Sequence, residues 1–513
     1  MNGAESLVHT LVNCGVDTCF ANPGTSEMHF VAALDRIAGV KCVLGLQENV
    51  VTGMADGYFR MARKPAATLL HCGPGLANGM ANLHNARRAR SAVVNVVGDQ
   101  ATYHRPHDAP LTADTEGMAR TVSDWVRTTT AAADVGRDVA QAVQAAMTHP
   151  GQIATLVLPS DASWNAGGVA AQPLPSPAVQ PVDQARIAQA AQLLRSGEKV
   201  LLLLAGGAVW AEGQALAWAI AQHSGADLMA DYMASHLHRG QGRLPLARVP
   251  YATEKACQAL APYQHIILVN AKPPVGFFAY PDKPSVQHAP GANLFTLSRP
   301  DQDALATLQA LVAELGAPMA PMPAVGPRPG RPSGAISPEG LAQAVAALMP
   351  EGAIISDESV SFGRGFYPHT YAAPAHDWLH LAGGAIGEGL PMATGAALGT
   401  GGGRRVISLQ ADGSAMYSLQ ALWTQARENL PCTTIILSNR KYNILIGEYG
   451  NVGANPGPTA MAMLDLGNPD LNWLQLANGM GVEAARAETL DQLCDLMAHS
   501  FAHSGPFLIE LCI

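Results

Sequence analysis

The stretch Val406–Asn439, VISLQADGSAMYSLQALWTQARENLPCTTIILSN, decides how this chain is read. An apolar run, VISLQ, ends in Ala411-Asp412-Gly413-Ser414. A helical pattern with Leu419, Leu422, Trp423 and Ala426 on one face follows, and a second apolar run, TTIIL, ends in Ser438-Asn439. Strand, helix and strand make one crossover unit, which returns Asp412 and Asn439 to the same edge of a parallel sheet. Ligands of open α/β sheets gather at that carboxyl edge. Asp412 offers a carboxylate, Asn439 an amide oxygen and the turn at Lys441 a backbone carbonyl. These are hard oxygens of the kind that magnesium shares with phosphate groups. A helix opening at Ser414 would aim free N–H groups at the same place, which suits a diphosphate. Asp-Gly-Ser alone reads as an ordinary surface turn; its spacing to Asn439 gives it meaning.

Short, continuously apolar runs alternate with helical patterns along the rest of the chain. Ala67–Leu70, Ala92–Val97 and Thr155–Leu158 are strand candidates, as are Val200–Leu204 and His265–Val269, then Ala353–Ser356, Val406–Leu409 and Thr433–Leu437. Runs apolar at every position indicate strands covered on both faces. Two Pro-rich stretches, Gly167–Pro181 and Gly316–Pro338, cannot hold a helix or a central strand and read as linkers. The expected fold class is therefore α/β, with three doubly wound, mainly parallel domains over residues 1–166, 182–316 and 338–513.

Composition narrows the partners. Against 40 acidic residues stand 31 basic ones, a formal net charge of −9. With no basic tract and only 5% aromatic residues, nucleic acid is not an expected partner. The apolar runs are too short to span a bilayer, so no membrane association is expected either. Eight scattered cysteines without a Cys-x-x-Cys pair suit a reducing, cytoplasmic setting.

The segment ending in Asn439 resembles the signature of the thiamine-diphosphate-dependent enzyme superfamily, Gly-Asp-Gly followed at a distance by Asn-Asn. It departs at Ala411 and Ser438 and keeps Asp412, Gly413 and Asn439. The resemblance implies that Asp412, Asn439 and the Lys441 carbonyl hold Mg2+, and that Ser361, Ser414 and Tyr442 contact the diphosphate. GLQENVVTGMADGYFRMARKP, residues 45–65, resembles the family's pyrimidine-binding segment, with Glu48 at the glutamate position. A carboxyl group there shares its proton with the cofactor's aminopyrimidine, so that the resulting imine can deprotonate the thiazolium carbon intramolecularly. LAGGAIGEGLPMATGAALG, residues 381–399, resembles the wedge region. It places Ile386 between the two rings and the Gly384 carbonyl on the amino group. Glu388 stands where relatives usually carry an aromatic or apolar residue, and the departure is expected to bear on the polarity of the substrate pocket. The glutamate and the diphosphate site come from different chains in this family, which implies a homodimer or homotetramer.

Within the superfamily the likeness is nearest to the benzoylformate-decarboxylase type, with the acetolactate-synthase type second. Thr25, in Asn22-Pro23-Gly24-Thr25-Ser26-Glu27, takes the hydroxyl position near the substrate carboxylate, and His71, in LLHCGPG, matches an active-site histidine. A second catalytic histidine of the decarboxylases is replaced, around GFFAYPDKP, by Phe278 or a neighbour. Decarboxylation of a 2-oxo acid through an enamine is thus expected. The alternative is a carboligase that joins this enamine to a second carbonyl, which slow protonation would favour. A non-catalytic homologue is a third option, and retention of Glu48, Asp412 and Asn439 argues against it. Leu204-Ala205-Gly206-Gly207 reads as a plain strand–helix turn, so FAD is not expected.

Overall fold

Runs that are apolar at every position become strands buried on both faces. In the computed structural model, which describes residues 1–513, they assemble into three sheets. The first contains β1 (Thr18–Ala21), β2 (Lys41–Leu44), β3 (Ala66–Leu70), β4 (Val93–Asp99), β5 (Trp125–Thr128) and β6 (Ile153–Pro159). Its order is β2-β1-β3-β4-β6-β5, parallel throughout. β7 (Val200–Leu204), β8 (Asp227–Ala230), β9 (His236–Arg239), β10 (Ala247–Arg248), β11 (His265–Val269) and β12 (Asn293–Ser298) follow. All but β9 form a second parallel sheet, of order β10-β8-β7-β11-β12.

The third sheet contains β13 (Ile354–Glu358), β14 (His376–His380), β15 (Val406–Ala411), β16 (Cys432–Ser438), β17 (Glu483–Ala487) and β18 (Phe507–Cys512), in the order β17-β18-β16-β15-β13-β14-β9. Its edge is the antiparallel β9, contributed by the middle of the chain. Side chains fix that exchange. Asp377 on β14 accepts from His236 Nε2 at 2.6 Å, lies 3.3 Å from His238 Nε2, and is paired on its other oxygen with Arg404.

Helix Glu48–Ala62 and helix Gly389–Gly399 cross closely enough to touch backbone to backbone. A Cβ on Gly57 would fall 2.1 Å from the Met392 carbonyl oxygen, and one on Gly395 would fall 1.9 Å from that of Met54. Glycine at both positions removes the side chains that would hold the helices apart. The first and third sheets are thereby joined face to helix, with Glu48 at the near end of the contact.

The continuous helix expected after Asp412 is broken. A short helix, Asp412–Ala415, is followed by a turn, and helix Ala421–Arg427 resumes beyond it. The bonds Tyr417 N–H to Ser414 O and Ser418 N–H to Ala415 O are three-residue closures, which tighten the chain and change its direction. Ala421, Leu422, Thr424 and Gln425 form the buried face, which shares only Leu422 with the expected one.

Candidate active site

β15 and β16 lie side by side in parallel register, so Asp412 and Asn439 emerge at neighbouring carboxyl ends. The Asp412 carboxylate accepts the backbone N–H groups of Gly413 at 2.8 Å and Arg440 at 2.7 Å. Asn439 Oδ1 accepts from the Lys441 N–H at 3.1 Å. The turn that carries Asn439, Arg440, Lys441 and Tyr442 is tied down by Tyr442 N–H to Leu464 O and Leu466 N–H to Arg440 O. Asp412 is almost fully buried, and burial raises its pKa against the backbone donors that favour its charge. No cationic side chain is among those groups. A buried carboxylate beside an amide oxygen, without a counter-cation, fits a hard divalent ion. Gly413 is required where it stands, because a Cβ there would meet Tyr442 Cε1 at 2.4 Å. Ser414 is buried beside it and Ser361 follows the end of β13, half-buried.

The loop between β14 and helix Gly389–Gly399 carries Gly384 and Ile386. It has no strand partner, and buried side chains replace one. Ala385 donates to Asn85 Oδ1 at 3.1 Å and its carbonyl accepts from Asn85 Nδ2 at 2.7 Å. The Gly387 carbonyl accepts from Asn82 at 3.2 Å. Glu358, at the end of β13, accepts from the N–H groups of Gly387 and Gly389, both at 2.7 Å. Burial pushes the Glu358 carboxyl up to about 7. Ile386 is left partly exposed, and Gly384 has φ +81° with Phe277 packed against it: a Cβ there would lie 2.5 Å from Phe277 Cζ.

Glu388 corrects an expectation. It is fully buried and pairs with Arg60 at 2.9 Å; Arg60 also pairs with Asp56 at 2.6 Å. Burial, with the neighbouring acids Asp56 and Glu358, raises its pKa strongly against the opposing pull of Arg60. The residue is a helix-to-helix tie with no exposed surface.

Glu48 is the first residue of its helix, which Gln47 caps by accepting from the Asn49 and Val50 N–H groups. Its carboxylate is buried to 8% exposure and accepts from Asn78 Nδ2 at 3.0 Å. Gly75 faces it, a Cβ there being only 3.1 Å from Glu48 Oε1. His71 immediately precedes helix Cys72–Ala89, and its Nδ1 lies 3.0 Å from the buried Glu27 carboxylate. The hydroxyl that meets His71 belongs to Ser26, at 3.2 Å, whereas Thr25 is exposed at the start of the turn Thr25–Glu27. Ser26 also meets Cys72 Sγ at 3.2 Å, and burial pushes that thiol up to about 11. Glu27, Asn78, Asn82, Asn85 and Glu358 were not foreseen from sequence. The spacing of the three asparagines on one helix face was the legible signal among them.

Opposite Gly384, the loop after β11 presents Phe277 and Phe278, with ring centroids 5.0 Å apart, and Tyr251 packs on Phe277. Of the two, Phe277 is the one packed against Gly384. Arg364 lies 4.1 Å over the Tyr251 ring. A separate cavity of about 440 Å³, lined by Thr18, Lys41, Tyr58 and Glu428 among others, contains none of these groups.

The comparisons identify the class of enzyme to which these elements belong. Residues 1–118 match the model of the thiamine pyrophosphate enzyme N-terminal TPP binding domain, and residues 365–511 match that of the C-terminal TPP binding domain. The chain belongs to the thiamine pyrophosphate (thiamine diphosphate) enzyme family. It is 48% identical to the Mycobacterium tuberculosis protein named "Putative acetolactate synthase large subunit IlvX", over 100% of this chain and 99% of that one. It is 30% identical to benzoylformate decarboxylase of Pseudomonas aeruginosa, over 97% and 96%. Among solved structures it resembles the Rhodococcus jostii RHA1 thiamine diphosphate-dependent 4-hydroxybenzoylformate decarboxylase, with a TM-score of 0.83 and 26% identity over 99% and 98% of the two chains. No helix is long and apolar enough to cross a membrane.

Proposed function

We propose that the protein decarboxylates a 2-oxo acid with thiamine diphosphate and Mg2+. The observation that carries this reading is the buried, uncompensated Asp412 carboxylate beside Asn439, on the sheet whose wedge loop holds Gly384 and Ile386. Asp412, Asn439 and the Lys441 carbonyl would hold the ion, and Gly413, Ser414, Ser361 and Tyr442 the diphosphate. Ile386 would separate the two rings while the Gly384 carbonyl accepts from the amino group. When bound, the cofactor supplies the carbon nucleophile and the sink for the electrons released with carbon dioxide. Glu48 would hold the proton shared with the pyrimidine nitrogen. Glu27 engages His71 Nδ1, which leaves Nε2 free to move a proton at the substrate, and Thr25 would face the substrate carboxylate. The working division is a pyrimidine-binding unit at 1–166, a central unit at 182–316 and a diphosphate-binding unit at 338–513. The active form is a homodimer or homotetramer with sites between chains, and eight free cysteines support a cytoplasmic location.

A second reading, carboligation, is favoured by Phe277 and Phe278 in place of a proton-donating histidine and by the 48% identical relative. A panel of 2-oxo acids with added thiamine diphosphate and Mg2+, followed for carbon dioxide and for carbon products, tests both. Aldehyde as sole product rejects the second reading, and no carbon dioxide from any acid rejects both.

A further inference from the structure

We infer that the asparagine face Asn78–Asn82–Asn85 of helix Cys72–Ala89 is the positioning element for both Glu48 and the wedge loop. The inference rests on the function proposed above. The three residues are spaced four and three apart, which places them on one side of the helix. Asn78 donates to Glu48 Oε2 at 3.0 Å. Asn82 grips the next residue: its backbone N–H donates to Asn49 Oδ1 at 3.0 Å, and its Nδ2 donates to the Asn49 carbonyl at 2.8 Å. The same Nδ2 reaches the Gly387 carbonyl at 3.2 Å, one residue past Ile386. Asn85 binds Ala385 through both side-chain atoms, one residue before Ile386, and donates to Asn82 Oδ1 at 2.9 Å.

Asn82 and Asn85 have no exposed surface, and every polar atom of their side chains is used. A fully satisfied buried network of this kind fixes orientation, because any other arrangement leaves a buried amide unpaired. The wedge loop has no ladder partner, so these bonds hold Ile386 from both sides. Whichever copies combine to complete a site, one helix face therefore sets both halves of the cofactor machinery. The residues act through Glu48 and Ile386 and are positioning residues.

The test compares Asn82→Leu and Asn78→Ala with the wild type. It measures kcat, KM, thiamine diphosphate affinity by tryptophan quenching at fixed Mg2+, and the near-ultraviolet circular dichroism of the bound cofactor. Displacement of a reacting group by about 1 Å costs about 10²-fold. Asn82→Leu is thus expected to lose about 10²-fold in kcat with KM little changed and an altered cofactor dichroism band. Asn78 is exposed in the chain, so Asn78→Ala keeps the fold; it is expected to lose about tenfold in kcat with cofactor affinity retained. A folded Asn82→Leu enzyme with the wild-type band and kcat overturns the inference, and so does wild-type kcat in Asn78→Ala, which applies even if the Leu variant does not fold. Wild-type protein that neither binds the cofactor nor releases carbon dioxide refutes the underlying function instead.

Discussion

The Glu27 carboxylate faces His71 Nδ1 at 3.0 Å, buried in the space that Gly98 leaves open, since a Cβ on Gly98 would fall within the carboxylate itself. Glu27 therefore selects the imidazole orientation that presents Nε2 outward. Glu27→Gln keeps the shape and replaces the carboxylate facing Nδ1 by a neutral amide. The expected outcome is a fall of about 10- to 100-fold in kcat, with cofactor affinity unchanged, below the loss in His71→Ala. Steady-state kinetics of both variants decide it; wild-type kcat in Glu27→Gln would detach the pair from turnover.

Glu48→Gln separates binding from activation. The amide can still meet Asn78 and a pyrimidine ring but cannot share a proton with it. Cofactor affinity should stay within about tenfold of wild type while turnover drops by at least about 10²-fold. Titration of cofactor binding alongside carbon dioxide release checks this.

Asp412 yields a prediction with opposite signs in two states. Burial raises its pKa, so in the cofactor-free chain the ionised side chain opposes folding, and that cost is relieved as pH falls through the raised value. Asp412→Asn should therefore leave the melting temperature of the cofactor-free protein unchanged or higher. The rise produced by Mg2+ plus thiamine diphosphate should vanish in the same variant, and chelation should abolish it in the wild type. A variant that still gains stability from the pair would move the metal elsewhere.

What could be read from sequence followed the physics of each feature. Strands buried on both faces, such as β4 and β16, announce themselves as uninterrupted apolar runs. β9, His-Leu-His-Arg, gives no such signal because three of its four residues are polar: Leu237 alone enters the apolar core, and His236 hydrogen-bonds to Asp377. Asp412 and Asn439 were legible because one crossover unit fixes their relation. The contacts of Glu388 were not, since Arg60 lies on a distant segment and only tertiary packing brings it near. The contact of Ser26 with His71 likewise depends on a tight turn whose direction no spacing reveals.

The β9–β14 edge should be the acid-sensitive seam of the fold. Burial lowers His238 and His376 to about 4, so in the folded chain those two rings stay neutral well below 6.5, and it lowers His236 as well. The unfolded chain takes up their protons first, and stability falls as pH drops from about 6.5 to about 4. For the nearly fully buried His376 the full swing is about 3 kcal/mol. Asp377, held far below the usual carboxylate range mainly by His236 and Arg404 against its burial, adds its own loss only at lower pH. Urea midpoints measured across this window should decline in the wild type and flatten in His376→Asn; equal slopes in the two proteins would sink the assignment.

Phe277 offers control over the product. Its ring covers Gly384, and Phe278 and Tyr251 extend the same aromatic wall, which carries no group able to give up a proton near neutral pH. The Tyr251 phenol is itself raised by burial. Under the carboligation reading, a nucleophilic carbon formed against such a wall would meet a carbonyl more readily than a proton. Phe277→His places an ionisable ring at that position, and an imidazole titrates where it can donate at pH 6–7. The aldehyde share of the product should rise severalfold and the ligated share should fall, with total carbon dioxide release changed less than either. Gas chromatography of both products, with carbon dioxide measured in parallel, supplies the comparison. The same partition in wild type and variant would show that proton delivery comes from elsewhere, with His71 the next group to replace.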